Sequence, residues 1–353
     1  MDANSRSAPV RRLRPPASRW TWAAGITTTA LLTLGLPATA AAAAQPTCFG
    51  SPATLTGAGT LNGTPGDDVI VGSPGADSID GRGGNDRICG LDGADNITGG
   101  LGNDRIDAGA GDDRLRGDRF NPSGGAVGGG NDVLLLGPGN DRAAGDSGAV
   151  DGDAVGGGQD RIEGGPGNDL MTGDSIATNG DAVGAGRDHI TGGLGADSIV
   201  GDSNATFDAS GAGGDDVLDL GPDGGFLVVG DHNSGTPGHR AAGAGADRIT
   251  GGSGAELLVG DSSADLAAGA DDDLIDGRAG DDTLFGDNVN FDGVASVGAG
   301  GGDDLLNGGS GNDTLRGGAA DDALDGGEQT DDCDGETGSG DTAVRCETVN
   351  GIP

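Results

Sequence analysis

The sequence has few aromatic residues and contains no lysine and no tyrosine. Aromatic residues make up 2% of the chain, and both tryptophans, Trp20 and Trp22, lie near the N-terminus. Large aromatic side chains supply much of the buried area of ordinary globular cores, so a core of that kind is excluded. No GxSxG nucleophile elbow or other arranged catalytic base occurs either. We therefore predict that the chain is not an enzyme.

Positive charge is also scarce. The chain has 19 basic residues, all arginine, against 57 acidic residues, which gives a formal net charge of -38. Such a surface repels nucleic acid and anionic membranes, so no nucleic-acid partner is expected and cations are the natural partners. High charge with few aromatics also suits a disordered acidic segment, but disorder requires no fixed sequence period, and this chain has one.

The first 44 residues have the features of a secretory signal peptide. Arginines, Arg11 and Arg12 among them, precede an apolar run over residues 23–36, and small residues follow up to position 44. Cleavage is expected near Ala40 or Ala44. A retained membrane anchor is the alternative, but the run is shorter than the ~20 residues that span a bilayer. We predict a secreted, extracellular mature chain that does not insert into a membrane; Sec and twin-arginine export both stay open.

A nine-residue repeat begins at Gly63 and runs six times without a gap to residue 116. The sixth position of each unit is aspartate: Asp68, Asp77, Asp86, Asp95, Asp104 and Asp113. An apolar residue follows two positions later: Ile70, Ile79, Ile88, Ile97, Ile106 and Leu115. This is the pattern G-G-x-G-x-D-x-U-x of parallel β-rolls. Glycines let the turn carbonyls face an ion, aspartate supplies a hard anionic oxygen, and x-U-x forms a short strand with one inward side chain.

After Asp113 the spacing of the motif alternates between nine residues and about 19 residues. The aspartates that follow are Asp132, Asp141, Asp160, Asp169, Asp188, Asp197, Asp216, Asp247, Asp273, Asp282, Asp304, Asp313 and Asp322, with Gly225 and Glu256 in two aspartate positions. A second marker, Gly-Asp, recurs at Asp118, Asp146, Asp174, Asp202, Asp231, Asp261 and Asp287. Its first three steps are each as long as one short and one long motif interval together. Both markers therefore share one period.

The long intervals carry insertions that all follow the same member of each pair of motifs. If two nonapeptides make one turn of coil, these insertions stack as a ridge along one edge. Val127, Val155 and Val183 recur with the same period as the two markers. The alternative is therefore a third short strand in each insertion, which would make a three-sided coil.

These residues closely resemble the repeats-in-toxin (RTX) calcium-binding family, from Gly63 to Asp325. The resemblance implies an all-β, right-handed parallel β-roll in which sixth-position aspartates and turn carbonyls of successive coils share Ca²⁺. Several ions are expected. The implied bridging pairs in the regular region are Asp68 with Asp86, Asp77 with Asp95, Asp86 with Asp104, and Asp95 with Asp113. The implied metal ligands are the 19 motif aspartates named above. One apolar side chain per nine residues gives little burial against the ordering entropy of a glycine-rich chain, so folding is expected to depend on Ca²⁺.

The four cysteines of an exported chain predict two disulfides, for which three connectivities are possible. Proximity in the sequence favours Cys48 with Cys89 and Cys333 with Cys346. Both bonds would pin an end of the coil, where a terminal turn lacks one neighbour. The three histidines are expected to be solvated.

We expect five segments along the chain. They are the signal peptide (1–44), an N-terminal cap (45–62), a regular nonapeptide β-roll (63–116), an extended solenoid of about 28-residue repeats (117–325) and a C-terminal disulfide cap (326–353). The leading functional hypothesis is a secreted calcium-binding structural protein of the cell envelope or matrix. The alternatives are an adhesin or a solenoid that binds ice or glycans, and a disordered acidic calcium buffer. The macromolecular partner stays open.

Overall fold

The computed structural model describes residues 44–298 and 300–353, and the signal peptide predicted for residues 1–44 lies outside this range apart from Ala44. Every named element in the described range is a β-strand. No helix in the described part of the chain is long and apolar enough to cross a membrane. The prediction of an all-β parallel coil is confirmed, and strands are numbered β1 to β38 in chain order.

Two parallel sheets of 13 strands each run along the coil, and each coil contributes one strand to each sheet. Sheet I contains β3 (Leu55–Thr56), β5 (Val69–Val71), β7 (Arg87–Asp92), β9 (Arg105–Ala110), β13 (Val133–Leu135), β17 (Arg161–Pro166), β21 (His189–Leu194), β25 (Val217–Asp219), β29 (Arg248–Thr250), β31 (Leu274–Asp276), β33 (Leu305–Ser310), β35 (Ala323–Glu328) and β37 (Thr342–Val344).

Sheet II contains the strands that alternate with those of sheet I along the chain. They are β4 (Thr60–Asn62), β6 (Ser78–Asp80), β8 (Asn96–Thr98), β10 (Arg114–Arg116), β14 (Arg142–Ala144), β18 (Leu170–Thr172), β22 (Asp197–Val200), β26 (Gly225–Val229), β30 (Leu257–Val259), β32 (Thr283–Phe285), β34 (Thr314–Arg316), β36 (Asp332–Asp334) and β38 (Thr348–Asn350). A separate antiparallel pair, β1 (Thr47–Cys48) and β2 (Ser51–Pro52), precedes the coil.

The core between the two sheets is formed mainly by the one apolar residue of each motif, with additions from Ala108, Leu136 and Leu220. These side chains pair in register from coil to coil, as Ile162 does with Ile190 in sheet I and Met171 with Ile199 in sheet II. All four are fully buried, and they belong to one continuous apolar cluster that runs from Leu61 to Cys333. The inward direction assigned to this motif position is therefore correct.

The turns stack so closely that several glycines cannot be replaced without moving the backbone. Gly167 has a φ of +154°, and a Cβ built there would lie 1.4 Å from the carbonyl oxygen of Gly139 in the preceding coil. Gly109 has a φ of +100°, and its Cβ would lie 1.6 Å from the carbonyl oxygen of Leu91. Glycine is thus required here by both the conformation and the contact.

The insertions stack with one another, and each of the first five carries two short strands. Sheet III contains β11 (Phe120–Asn121), β15 (Gly148–Ala149), β19 (Ile176–Ala177), β23 (Asn204–Ala205) and β27 (Asn233–Ser234). Sheet IV contains β12 (Ala126–Val127), β16 (Ala154–Val155), β20 (Ala182–Val183), β24 (Ala209–Ser210) and β28 (Ala241–Ala242). The stacking is as predicted, but the structure has two insertion strands per coil where the alternative had one.

The periodic valine row is on the outside of sheet IV. Val127 is 63% exposed, and Val155 and Val183 are each 37% exposed. The buried residue is the alanine that precedes each valine, and these alanines form an apolar cluster of their own with others from sheet III. Small side chains therefore let the insertion fold close to the turn that it interrupts.

Both predicted disulfides are present, and each lies near one end of the coil. Cys48 bonds Cys89 of β7 with a Cα–Cα distance of 5.8 Å. Cys333 of β36 bonds Cys346 with a Cα–Cα distance of 6.0 Å. Each bond links a terminal segment to a strand of a long sheet.

Candidate metal centres

The motif aspartates form two rows, one in the turns that precede the strands of each long sheet. File I consists of the turn residues before sheet I, namely Asp68, Asp86, Asp104, Asp132, Asp160, Asp188, Asp216, Asp247, Asp273, Asp304, Asp322 and Asp341. File II consists of those before sheet II, namely Asp77, Asp95, Asp113, Asp141, Asp169, Asp197, Gly225, Glu256, Asp282, Asp313 and Asp331. All the carboxylates in both files are buried.

One oxygen of each file aspartate is held by the neighbouring coil. The Oδ1 atom of Asp86 accepts the backbone N–H of Asp68 at 2.7 Å, and that of Asp95 accepts the N–H of Asp77 at 2.7 Å. The same contact repeats along file I to Asp341, at 3.0 Å from the N–H of Asp322. All four implied bridging pairs are in direct contact by this bond. The ladder fixes each carboxylate against the next coil.

The second carboxylate oxygen has no hydrogen-bond partner in most of these residues. Buried Oδ2 atoms without a partner occur at Asp86, Asp95, Asp104 and along both files beyond them. They face turn glycines: a Cβ built on Gly81 would lie 2.2 Å from the carbonyl oxygen of Gly99 and 2.3 Å from Asp86 Oδ2. A space walled by carboxylate and carbonyl oxygens is the environment that Ca²⁺ prefers. The residues present therefore fit calcium ligation.

Burial raises the pKa of most carboxyls in both files. The pKa of Asp86 rises to about 7, because desolvation and the charges of Asp104 and Asp68 outweigh the stabilising backbone N–H. In the extended coils the pKa of Asp132 in file I rises to about 8, while that of Asp141 in file II rises to about 6. Desolvation is the main cause in both, and Asp146 adds to the repulsion only at Asp132. Both files thus favour a counter-cation at neutral pH.

File II is interrupted at Gly225. Asp197 donates its N–H to the Gly224 carbonyl at 3.3 Å instead of to a carboxylate, and the pairing of β22 with β26 shifts register after Asp197. Glu256, one coil later, reaches the N–H of Gly225 at 3.3 Å with Oε1, which also accepts the N–H of Gly254 at 2.9 Å. The longer side chain thus turns back to satisfy the backbone of its own and the preceding turn.

A third row of aspartates was not among the predicted ligands. File III consists of the Gly-Asp residues Asp118, Asp146, Asp174, Asp202, Asp231, Asp261 and Asp287, all of them buried. Its members from Asp118 to Asp261 stack through backbone bonds in which one N–H donates to the carbonyl oxygen of the next, at 3.0 to 3.3 Å. The regular recurrence of Gly-Asp in the sequence was the signal that could have indicated this row. Asp331 and Asp341, which extend files II and I, were also missed.

His232 is buried next to file III, so the expectation that all three histidines are solvated was wrong for this residue. Its Nε2 lies 3.9 Å from Asp202 Oδ2. Burial lowers the pKa of His232 to about 3, so the ring is neutral. His189 is exposed as expected, and His239 is half-buried beside Asp208.

The turns stack, the core takes about one apolar residue from each motif, and the carboxylates form buried files. These features define the chain as a parallel β solenoid that binds cations through oxygen. The sequence model of the RTX calcium-binding nonapeptide repeat (four copies) matches residues 55–88, 62–96, 90–122, 126–149, 155–175, 182–206, 241–267, 265–290 and 298–333. These matches cover more than half of the chain, and the chain belongs to this family. No curated protein and no solved structure shows a significant match. The chain is a calcium-binding β-roll protein, and Ca²⁺ is its cofactor.

Proposed function

We propose that this chain is an exported protein whose coil folds around Ca²⁺ and serves as a structural component of the cell envelope or extracellular matrix. The observation that carries the proposal is the pair of files of buried carboxylates with unpartnered Oδ2 atoms. Unpaired buried charges are costly. At neutral pH a folded chain with these files therefore favours a bound counter-cation, and bound Ca²⁺ would supply that charge and additional ligand bonds.

The 19 motif aspartates are the proposed ligands, together with the turn carbonyls that face them. The Oδ1 ladder between coils orients each carboxylate, as in the bond from the Asp132 N–H to Asp160 Oδ1 at 2.6 Å. This leaves Oδ2 directed at the glycine turn. The fold and the site are therefore formed by the same contacts, and the proposal includes no catalytic step.

Two further observations support the extracellular setting. Both disulfides are formed, and disulfides persist in oxidising compartments. The Arg-rich and apolar features of residues 1–44 support cleavage near Ala40 or Ala44. N-terminal sequencing of protein recovered from the medium tests this, and a mature chain that retains Trp20 would contradict it.

The test of Ca²⁺-dependent folding is a far-UV circular dichroism titration of the exported chain. We expect a largely disordered spectrum with chelator and a cooperative gain of β signal as free Ca²⁺ rises. Mg²⁺ at the same concentration is the matched control, and it is expected to be less effective because it demands a smaller octahedral shell. A full β spectrum in chelator would refute the coupling of folding to binding.

An adhesin or a ligand-binding solenoid is the second candidate. The observation in its favour is the exposed valine row of sheet IV, in which Val127, Val155 and Val183 line a shallow groove with the glycines that follow them. Regular apolar rows can contact a repetitive ligand. Glycan-array binding and inhibition of ice recrystallisation, each compared between the native chain and Val155→Asp, would test it; a native chain inactive in both assays would exclude this candidate.

A further inference from the structure

The turns of file I change their composition where the extended coils begin. In the regular roll the first glycine of a turn lies shortly before its aspartate in the same nonapeptide, as Gly81 lies before Asp86. In the extended coils the whole insertion separates Gly117 from Asp132, yet the geometry is kept. A Cβ on Gly117 would lie 1.9 Å from Asp132 Oδ2 and 1.8 Å from the carbonyl oxygen of Gly145. The insertion therefore opens the turn without displacing its ends.

The second position of this opened turn is always aspartate. In the regular roll that position holds residues such as Thr64 and Arg82, whereas in the extended coils it holds the members of file III. Each extended coil consequently has two buried carboxylates on the file I side and at most one on the file II side. Asp118, Asp132 and Asp146 each place one carboxylate oxygen within 4.8 Å of the other two.

The same arrangement repeats twice more along the coil. Its other members are Asp146, Asp160 and Asp174, and then Asp174, Asp188 and Asp202. Successive triads share one aspartate of file III. The spacing is thus one triad per coil, with the file III residues above and below each file I carboxylate.

An independent observation points to a ligand in these triads. Both carboxylate oxygens of Asp118 and the Oδ2 atoms of Asp146 and Asp174 are buried and have no hydrogen-bond partner. Each of these residues is 0% exposed. Their partners from file I, such as Asp160 Oδ2, are likewise unpaired. Buried carboxylate oxygens that face one another without a partner repel, and either a bound proton or a shared cation must offset that repulsion.

We propose that the extended coils hold a second row of divalent-cation sites, in which carboxylates of file III and file I bind a hard oxygen-seeking ion, with Ca²⁺ as the ion available outside the cell. These sites differ from the turn sites of the regular roll because two successive insertions each supply one of the three carboxylates and the file I aspartate supplies the third. One divalent ion per coil balances the charge of the two carboxylates per coil on the file I side. On the file II side, one divalent ion per coil would exceed the charge of the single carboxylate. The inference goes beyond the proposed function and rests on it only for the identity of the ion.

The experiment is a count of bound Ca²⁺ in the full exported chain and in a triple variant, Asp118→Asn, Asp146→Asn and Asp174→Asn. Equilibrium dialysis at saturating free Ca²⁺ followed by elemental analysis gives the number of ions per chain. Each of the three triads loses at least one carboxylate, so we expect the variant to bind about three fewer ions. Asparagine keeps the size of the side chain and one oxygen, which limits damage to packing.

The matched control replaces three exposed aspartates from two of these insertions, Asp151→Asn, Asp153→Asn and Asp181→Asn. It removes the same charge but no triad carboxylate, so it is expected to keep the native count. An unchanged count in the triple variant, or an equal loss in the control, would overturn the inference. A native chain that binds no Ca²⁺ would instead refute the proposed function itself.

A diffraction experiment on the native chain decides the matter if the triple variant does not fold. Crystals soaked with Tb³⁺, an oxygen-seeking ion with strong anomalous scattering, should show peaks between file III and file I in the coils from Asp118 to Asp202. Peaks confined to the glycine turns of file II and of the regular roll would overturn the inference.

Discussion

The difference between the two files is tested by comparing Asp247→Ala with Glu256→Ala. Asp247 lies in the uninterrupted file I, where its Oδ1 accepts the N–H of Asp216 at 2.8 Å and its Oδ2 has no partner. Glu256 lies next to the gap in file II, and its carboxylate is occupied by backbone N–H groups, that of Gly254 at 2.9 Å among them. The first change removes a free ligand oxygen, and the second removes mainly hydrogen-bond acceptors.

The two changes should therefore differ in how the free energy of unfolding depends on Ca²⁺. Each ion bound only by the folded chain adds about 1.4 kcal/mol for each tenfold rise in free Ca²⁺ above its dissociation constant. Because its carboxylate lies between two coils, Asp247→Ala should remove one or two ions and lower this slope by about 1.4 to 2.8 kcal/mol per decade. Three backbone N–H groups, those of Gly225, Gly252 and Gly254, donate to the Glu256 carboxylate. Glu256→Ala should therefore cost about 3 kcal/mol, at about 1 kcal/mol for each N–H left without an acceptor, with a nearly unchanged slope.

The assay is urea-induced unfolding at a series of buffered free Ca²⁺ concentrations above the dissociation constants, followed by circular dichroism, with chelated samples as the baseline. Asp151→Ala, an exposed change of the same type, is the control and should leave the slope as in the native chain. A slope loss for Glu256→Ala equal to or larger than that for Asp247→Ala would refute the two-file register.

Three further outcomes follow from the core, the turns and the buried carboxyls. Ile162→Ala should cost about 2 to 5 kcal/mol in Ca²⁺-saturated denaturant melts, because the side chain is fully buried in the apolar core between the two long sheets. A cost below about 1 kcal/mol would contradict that packing. Gly167→Ala should prevent or severely weaken folding, while Gly75→Ala, where a Cβ meets nothing within 4 Å, should fold like the native chain; equal melting temperatures would refute the close stacking. The folded-state pKa values of Asp86 and Asp132, about 7 and about 8, exceed the unfolded value of ~3.9. Protonation of these carboxyls therefore stabilises the metal-free fold as pH falls from about 8 towards 4, and this stabilisation is lost as pH rises. Metal-free protein should gain β signal between pH 8 and 5, and a signal that falls over this range would contradict the reasoning.

The regular parts of the molecule are predictable from the sequence because one contact repeats. An aspartate followed two residues later by an apolar side chain, as in Asp86 and Ile88, specifies both the turn and the inward residue of the next strand. The nine-residue step then fixes which aspartates meet across coils. This holds even where Ala143 and Met171 replace the usual Ile or Leu, since the register is set by their neighbours.

The insertions are less predictable because their strands have two residues and contain mostly small side chains. Such segments carry no alternation that identifies an inward face. The most conspicuous periodic residue, Val155, is exposed, while the buried one is the less distinctive Ala154. Most of an insertion separates Asp118 from Asp132 in the sequence, and their proximity depends on how that insertion folds. The regular recurrence of Gly-Asp could therefore be seen in the sequence, but the stacking of these aspartates into a row of carboxylates could not be predicted from it.

The direction of the backbone hydrogen bonds also decides how the coil responds to force. Bonds such as that from the Val133 N–H to the Asp104 carbonyl run along the coil axis, and the two ends of the coil lie at opposite ends of the long sheets. Tension between the ends would act along these bonds and break them one coil at a time. The bonds of different coils would not share the load, as they do when strands are pulled in shear. Each step in the extended coils would free about 28 residues, or roughly 95 Å of extended chain, together with the ions that the coil holds. The Cys48–Cys89 and Cys333–Cys346 bonds restrain the end segments against this peeling, so extension of the oxidised chain would begin in the coils between them.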